Sequence, residues 1–434
     1  MNPWLGILGV LAALGALIGI VKLFGRQLPP ELSRKAVHVG MGLVCLSFPW
    51  IFDDVWPVAV LAIFAVIALG AVRLVSPLRQ KLGGVIGGVD RQSLGEFYFP
   101  VAVAVVFLLA GDQTLLFIIP VLTLTVADSV GALIGVRYGF ARYRTDEGLK
   151  SAEGSIAFFT AAFLSCHIPL LLFSETGRAE CLLISLTAGF VVMLLEAISW
   201  RGQDNLIIPI GMYFLLSLYL PLDAAELGLR FLLILGLVVF VVLWRKRTTL
   251  SDSAILAGAL SGYAVWAFGG WFWLCPPVLL FLVYILLPSF PEDSRPIQNL
   301  HAVTRVMAGG FLWIVLAYVW ETDLIGPYLL CMAAHTGNII TARLRVVGED
   351  LPLWRIFVIG WIVPTLLFCA LGGVGVALGA FPLAAIAWVP ASVLLSISVF
   401  IPSWPQEHSA SQNARIWLSE TGIAFLASLI GLIK

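Results

Sequence analysis

Apolar runs of about 20 residues follow one another along the whole chain, broken by short polar stretches, and this pattern leaves few folds open. Lipid offers no water to a backbone, so a run of that length satisfies its own N–H and C=O groups as an α-helix. Of 434 residues, 60% are hydrophobic and 12% charged. Soluble domains are about 25% charged, so this chain has too few charges to coat a water-facing surface. The runs fall near residues 4–24, 37–52, 55–75, 97–110, 115–137, 154–173, 180–199, 206–222 and 228–244, then 253–270, 271–290, 301–320, 324–342, 353–375, 381–401 and 417–433. The expected fold is all-α: a polytopic integral membrane protein of about 14 to 16 transmembrane helices in two modules. The dense basic run RKRTTLSD, Arg245–Asp252, marks the boundary, which gives modules 1–244 and 245–434.

The net charge is zero, so no basic field recruits nucleic acid and any charge preference is local. Lysine and arginine segregate to alternate loops. One set holds Arg26, Arg34, Lys35, Arg79, Lys81, Arg91, Arg142, Arg144, Lys150, Arg201, Arg245, Lys246, Arg247, Arg295, Arg343 and Arg345. The other is mainly acidic, with Asp53, Asp54, Asp112, Glu175, Glu180, Asp223, Glu226, Glu321 and Asp323. The basic loops are placed in the cytoplasm by the positive-inside rule, with the amino terminus on the opposite side. The first run has its basic residues behind it, at Lys22 and Arg26, the reverse of a cleavable signal peptide. The six cysteines lie singly, without CxxC spacing, and read as small core residues rather than a zinc site or disulfide framework.

Polar groups inside apolar helices are expensive and mark function unless the bundle satisfies them. Asp128 sits well inside the fifth run, in ADSVGALIGVRYG, and needs a cation or donor to remain ionised. Gly131, Gly135 and Gly139 follow it at four-residue spacing, a face that lets another helix approach closely. The next loop enters the sixth run through Lys150, Ser151, Glu153, Gly154 and Ser155. A lysine, two hydroxyls and a glycine at a helix start suit a phosphate, and equally an ordinary capping box. Glu196 lies near the end of the seventh run, and Asp204 and Asn205 open the eighth. Arg34, Lys35 and His38 open the second run, with Arg34 and His38 on one helix face and positive charge available for a polyphosphate. Gly83, Gly84, Gly87 and Gly88 make the third loop flexible enough to act as a lid, although no Walker sequence is present. These groups converge on the cytoplasmic end of the first module.

The segments ELSRKAVHVGMG, SLGEFYFP, ADSVGALIGVRYG, LKSAEGS and EAISWRGQDNLIIP stand in the order seen in the phytol kinase and dolichol kinase family of isoprenoid-alcohol kinases, which the chain resembles. That family is related to the phosphatidate cytidylyltransferases, and the resemblance covers roughly residues 30–222. It implies that Asp128 helps hold a divalent metal and nucleotide phosphates, that Lys150 to Ser155 bind the nucleotide, and that Glu196, Asp204 and Asn205 complete the site. The family typically uses CTP; the residues themselves do not choose CTP over ATP. On this reading Asp128 and Glu196 bind the metal, most simply Mg2+. Lys150 stabilises phosphate, Arg34, Lys35 and His38 add positive charge, and Asp204 or His38 accepts the proton of the alcohol. The isoprenoid chain remains in the bilayer.

The second half, in TLSDSAILAGALSGYAVWAFGGW and HAVTRVMAGG, resembles the phytyl-phosphate kinase family. In AAHTGNIITARL, however, Gly337 and Ala342 occupy positions where that family's acidic residues are expected. A degenerate module follows, with His335 and Asn338 as polar remnants. Two other functions compete: a cytidylyltransferase acting on a lipid phosphate, and a secondary transporter, whose polar site would lie at the midplane between related halves.

Overall fold

The computed structural model describes residues 2–24, 29–75, 94–145, 148–244, 251–287, 300–347, 351–403 and 421–432. The glycine loop at 83–88 and most of the basic run at 245–250 lie outside these residues. The chain divides into two compact units, Met1–Val239 and Phe240–Lys434.

In the first unit, helices α1 (Pro3–Phe24), α2 (Pro30–Leu46), α3 (Phe48–Ile51), α4 (Val55–Leu74), α5 (Gly95–Ala110) and α6 (Thr114–Tyr138) lead to a hairpin, β1 (Arg142–Thr145) and β2 (Gly148–Ser151). Then come α7 (Ala152–Phe173), α8 (Arg178–Ile198), α9 (Asp204–Tyr219) and α10 (Ala224–Trp244). The second unit contains α11 (Asp252–Gly269), α12 (Trp271–Leu286), α13 (Leu300–Trp320), α14 (Ile325–Val347), α15 (Leu353–Ala377) and α16 (Leu383–Ser403), followed by Thr421–Leu432. Every apolar run in the sequence therefore carries a helix. Among the described residues, nine helices are long and apolar enough to cross a membrane. The protein is a polytopic integral membrane protein.

Helix α6 is the core of the first unit. Its most extensive packing is with α7, and α2 and α9 also lie against it. Leu116, Phe117, Val121, Leu124 and Ala127 are fully or almost fully buried. Hydroxyls on the same helix turn back on the backbone: Thr125 donates to the Val121 carbonyl at 2.6 Å and Ser129 to the Thr125 carbonyl at 2.8 Å. Without water, this local bond is the cheapest way to bury a hydroxyl.

The contact between α6 and α7 depends on missing side chains. A Cβ on Gly154 would lie 3.0 Å from the Gly131 carbonyl oxygen and 3.0 Å from Gly135 Cα, both backbone atoms that cannot swing aside. Gly154→Val should therefore cost about 1–3 kcal/mol and lower the thermal unfolding midpoint in detergent. Gly228→Ala, on α10 with open space at its Cβ, should not. Equal midpoints for wild type and Gly154→Val would refute this close packing.

The hairpin is an addition to the helical plan. β1 and β2 pair antiparallel with Tyr143 opposite Lys150, and Gly148 turns the chain at φ 144°. Ser151 then caps α7 by accepting from the Gly154 N–H at 3.1 Å.

Candidate active site

One end of the first unit gathers the amino-terminal part of α2, the last turns of α6, the hairpin, the end of α8 and the start of α9. Lys35 on α2 is 3% exposed and its ammonium lies 2.6 Å from Asp128 Oδ2. It also donates to the Asp128 carbonyl at 3.2 Å. His38, one turn further on, places Nε2 3.4 Å from the same carboxylate oxygen and 3.3 Å from the Leu124 carbonyl. Helical spacing puts Arg34 and His38 on one face, but the residues that share Asp128 are Lys35 and His38. Arg34 turns instead to Glu31, one turn back, at 2.6 Å. It remains within electrostatic range of Asp128 and Asp204.

A second lysine–carboxylate pair stands across the site. Lys150, on β2, lies 2.7 Å from Glu196 Oε1 and donates to the Glu196 carbonyl at 2.5 Å. Burial alone would lower the Lys150 pKa, but the facing Glu196 carboxylate outweighs it and holds the value above that of an ordinary lysine, with Asp204 adding to the effect. Lys150 is therefore charged at neutral pH. Each ammonium has three donors, and both Lys35 and Lys150 direct two of them to a single acidic residue.

Asp204 opens α9 and lies within electrostatic range of Asp128, Lys35 and Lys150. The linker that delivers it is sharply turned: Arg201 and Gly202 have φ of 50° and 82°, and the Leu94 N–H holds the Arg201 carbonyl at 3.1 Å. Asp204 Oδ1 accepts the Asn205 N–H at 3.0 Å. Asn205 Oδ1 is buried and has no hydrogen-bond partner among the described residues.

The residues after Lys150 take more local roles. The Ser151 hydroxyl is engaged as the helix cap, and Gly154 packs against Gly131 and Gly135. The Glu153 carboxylate accepts the Phe140 and Ala141 N–H groups at 3.1 Å and thereby closes the base of the hairpin. Ser155 Oγ meets the Tyr143 hydroxyl at 2.7 Å. Tyr143, opposite Lys150 in the hairpin, is a site residue that the sequence does not single out. The signal that could have found it is a strand-forming tyrosine and threonine ahead of a glycine turn.

Among the described residues, no three His, Cys, Asp or Glu side chains gather as a metal site. Mg2+ takes only one or two carboxylates when substrate phosphates fill its other positions. Asp128 and Glu196 each turn one oxygen to a lysine, and the second oxygen of each has no hydrogen-bond partner among the described residues. That donor set suits a hard cation.

In the second unit, α14 is buried along most of its length. Asn338 Oδ1 accepts from the Ser396 hydroxyl at 3.1 Å, whereas Asn338 Nδ2 and both ring nitrogens of the fully buried His335 have no hydrogen-bond partner among the described residues. Gly337 packs against the Gly360 carbonyl and Val393.

The chain is 30% identical over 215 residues to a phytol kinase from Synechocystis sp., an alignment that covers 48% of this chain and 88% of that protein. No protein-family model and no solved structure matches it.

Proposed function

Since the chain belongs to the phytol kinase family, we propose that it transfers a phosphoryl group from CTP to a long-chain isoprenoid alcohol such as phytol, geranylgeraniol or a polyprenol, and releases the isoprenyl monophosphate. The observation that carries this reading is two lysine–carboxylate contacts, the buried Lys35–Asp128 and the half-buried Lys150–Glu196, with Asp204 within electrostatic range of both lysines. Phosphoryl transfer needs little covalent chemistry from the protein; positioning and charge neutralisation do most of the work.

Lys35 and Lys150 bind phosphate oxygens with the donors their carboxylates leave over. Asp128 and Glu196 are the residues that would hold a divalent cation such as Mg2+, which when bound would supply charge to neutralise the phosphates. Arg34 and His38 add donors on the α2 side, and Ser151, Glu153, Gly154 and Ser155 hold the hairpin and the start of α7 in place beneath the nucleotide. Asp204 accepts the proton of the alcohol. The hydrocarbon tail stays in lipid, so only its hydroxyl has to reach this polar end of the bundle. On this reading that end faces the cytoplasm, in line with the positive-inside rule for its basic loops.

The second unit is assigned no kinase step of its own, on the strength of Gly337 and Ala342 at the positions where acids are expected. One assay tests the whole reading. Membranes containing the full chain receive γ-labelled CTP or ATP together with phytol, geranylgeraniol, dolichol, phosphatidic acid or geranylgeranyl monophosphate. The expected result is labelled monophosphate and CDP from an isoprenoid alcohol, in vesicles whose cytoplasmic face is outward. Pyrophosphate release with phosphatidic acid would identify a cytidylyltransferase instead. Diphosphate formed from geranylgeranyl monophosphate would overturn the assignment of the second unit.

A further inference from the structure

The start of α9 carries an unanswered acceptor. Asn205 Oδ1 is buried and has no hydrogen-bond partner among the described residues, while its neighbour Asp204 accepts the Asn205 N–H with Oδ1. A buried carbonyl oxygen left unpaired is costly, so such a group calls for a donor that the described residues do not supply.

The chemistry of the two residues limits what that donor is. Phosphate oxygens at neutral pH are acceptors, and they find their partners at Lys35, Lys150 and Arg34. Asp204 and Asn205 Oδ1 present only acceptor oxygens, which repel phosphate and attract an O–H group. Both stand at the first turn of α9, where the helix dipole favours negative charge as it develops on an oxygen. Asp204 also lies within electrostatic range of both lysines, so a hydroxyl held here shares the field of the lysines to which the kinase reading assigns the phosphates.

We infer that Asn205 Oδ1 receives the hydroxyl of the acceptor alcohol and aligns it for deprotonation by Asp204, an inference that rests on the kinase reading above. The hydroxyl first donates to Asn205 and then rotates its proton to Asp204 as the reaction proceeds. The alcohol O–H bond breaks, with its proton passing to the Asp204 carboxylate. The alcohol oxygen bonds to the γ-phosphorus, and the bond from that phosphorus to the β–γ bridging oxygen breaks. The nucleoside diphosphate leaves with that electron pair. Asn205 is thus a specificity residue for the alcohol rather than part of the nucleotide site.

The test compares wild type, Asn205→Leu and Asn205→Asp in the full chain, with phytol and CTP varied separately and CTP binding followed by equilibrium dialysis. Asn205→Leu keeps the shape and removes the acceptor. It should raise the KM for phytol or lower kcat/KM for phytol by about tenfold or more, with the KM and binding constant for CTP within about twofold of wild type. Asn205→Asp keeps an oxygen at that position and should recover most of the loss in phytol kcat/KM. A rise in the CTP constants with an unchanged phytol KM would assign Asn205 to a ribose or base hydroxyl or amine and overturn the inference. So would an Asn205→Asp variant as impaired towards phytol as Asn205→Leu. If wild type phosphorylates none of the alcohols, the kinase reading falls and this inference falls with it. An active wild type beside an unaffected Asn205→Leu overturns this inference alone.

Discussion

Replacing Asp128 by asparagine should lower alcohol phosphorylation by about a thousandfold or more. The amide has nearly the same shape as the carboxylate, so the loss reports charge rather than packing. Asp128 accepts from Lys35 at 2.6 Å, and that lysine is 3% exposed. Removing the negative charge leaves an ammonium buried without its partner, a change that costs about 3–5 kcal/mol in proteins generally. It also removes the carboxylate assigned to the metal. The two effects separate in the double variant Lys35→Met/Asp128→Asn, which buries no unpaired charge. Its thermal unfolding midpoint should return towards that of wild type, whereas its activity should not. Full activity in the double variant would show that the pair is structural and that the phosphates bind elsewhere. Activity of Asp128→Asn within about threefold of wild type would remove the residue from the mechanism altogether.

Lys150→Met should cost about a hundredfold to a thousandfold in kcat/KM for CTP. The hairpin holds Lys150 against α8, where its contacts with the Glu196 carboxylate and carbonyl fix the ammonium beside Asp204. On the proposed reading, a compact ammonium at that point neutralises charge on the transferring phosphoryl group. Lys150→Arg should rescue little, because the planar fork of a guanidinium does not fit a position built around one ammonium between two oxygens of the same residue. Glu196→Gln should have a smaller effect than Lys150→Met, since the Glu196 carbonyl still holds the lysine. These effects are read from steady-state kinetics with CTP varied at saturating phytol. If Lys150→Met changed only the KM for phytol, the lysine would belong to the alcohol side of the site, and the division between lysine and α9 regions would be wrong.

Much of the site is legible in the sequence because lipid makes polarity conspicuous. Asp128 stands out by hydropathy alone in so apolar a chain, whereas Lys150, Glu196 and Asp204 stand in a loop or at helix ends and draw notice by falling at the same end of the module. Their neighbours are harder to read. LKSAEGS looks like a phosphate loop and a capping box at once, and both readings draw on the same chemistry at a helix start. In the fold, Ser151 caps α7, Gly154 lets α7 approach α6, and Glu153 closes the hairpin. Tyr143 escapes notice because a four-residue strand gives little pattern inside a segment that reads as a loop. Periodicity groups Arg34 with His38; it says which residues share a helix face but not which of several carboxylates each will meet.

The sequence by itself determined the solvent, the helices and the end of the bundle at which the charges collect. These follow from local quantities: apolar runs long enough to span lipid, and lysine and arginine sorted between alternate loops. Only the tertiary structure decided the pairing. Lys35 meets Asp128 across 93 positions of sequence and Lys150 meets Glu196 across 46, while Asn205 keeps a buried oxygen that no side chain among the described residues answers. A buried charge selects its partner by distance and by the water excluded around it, and both are set by which helices pack together.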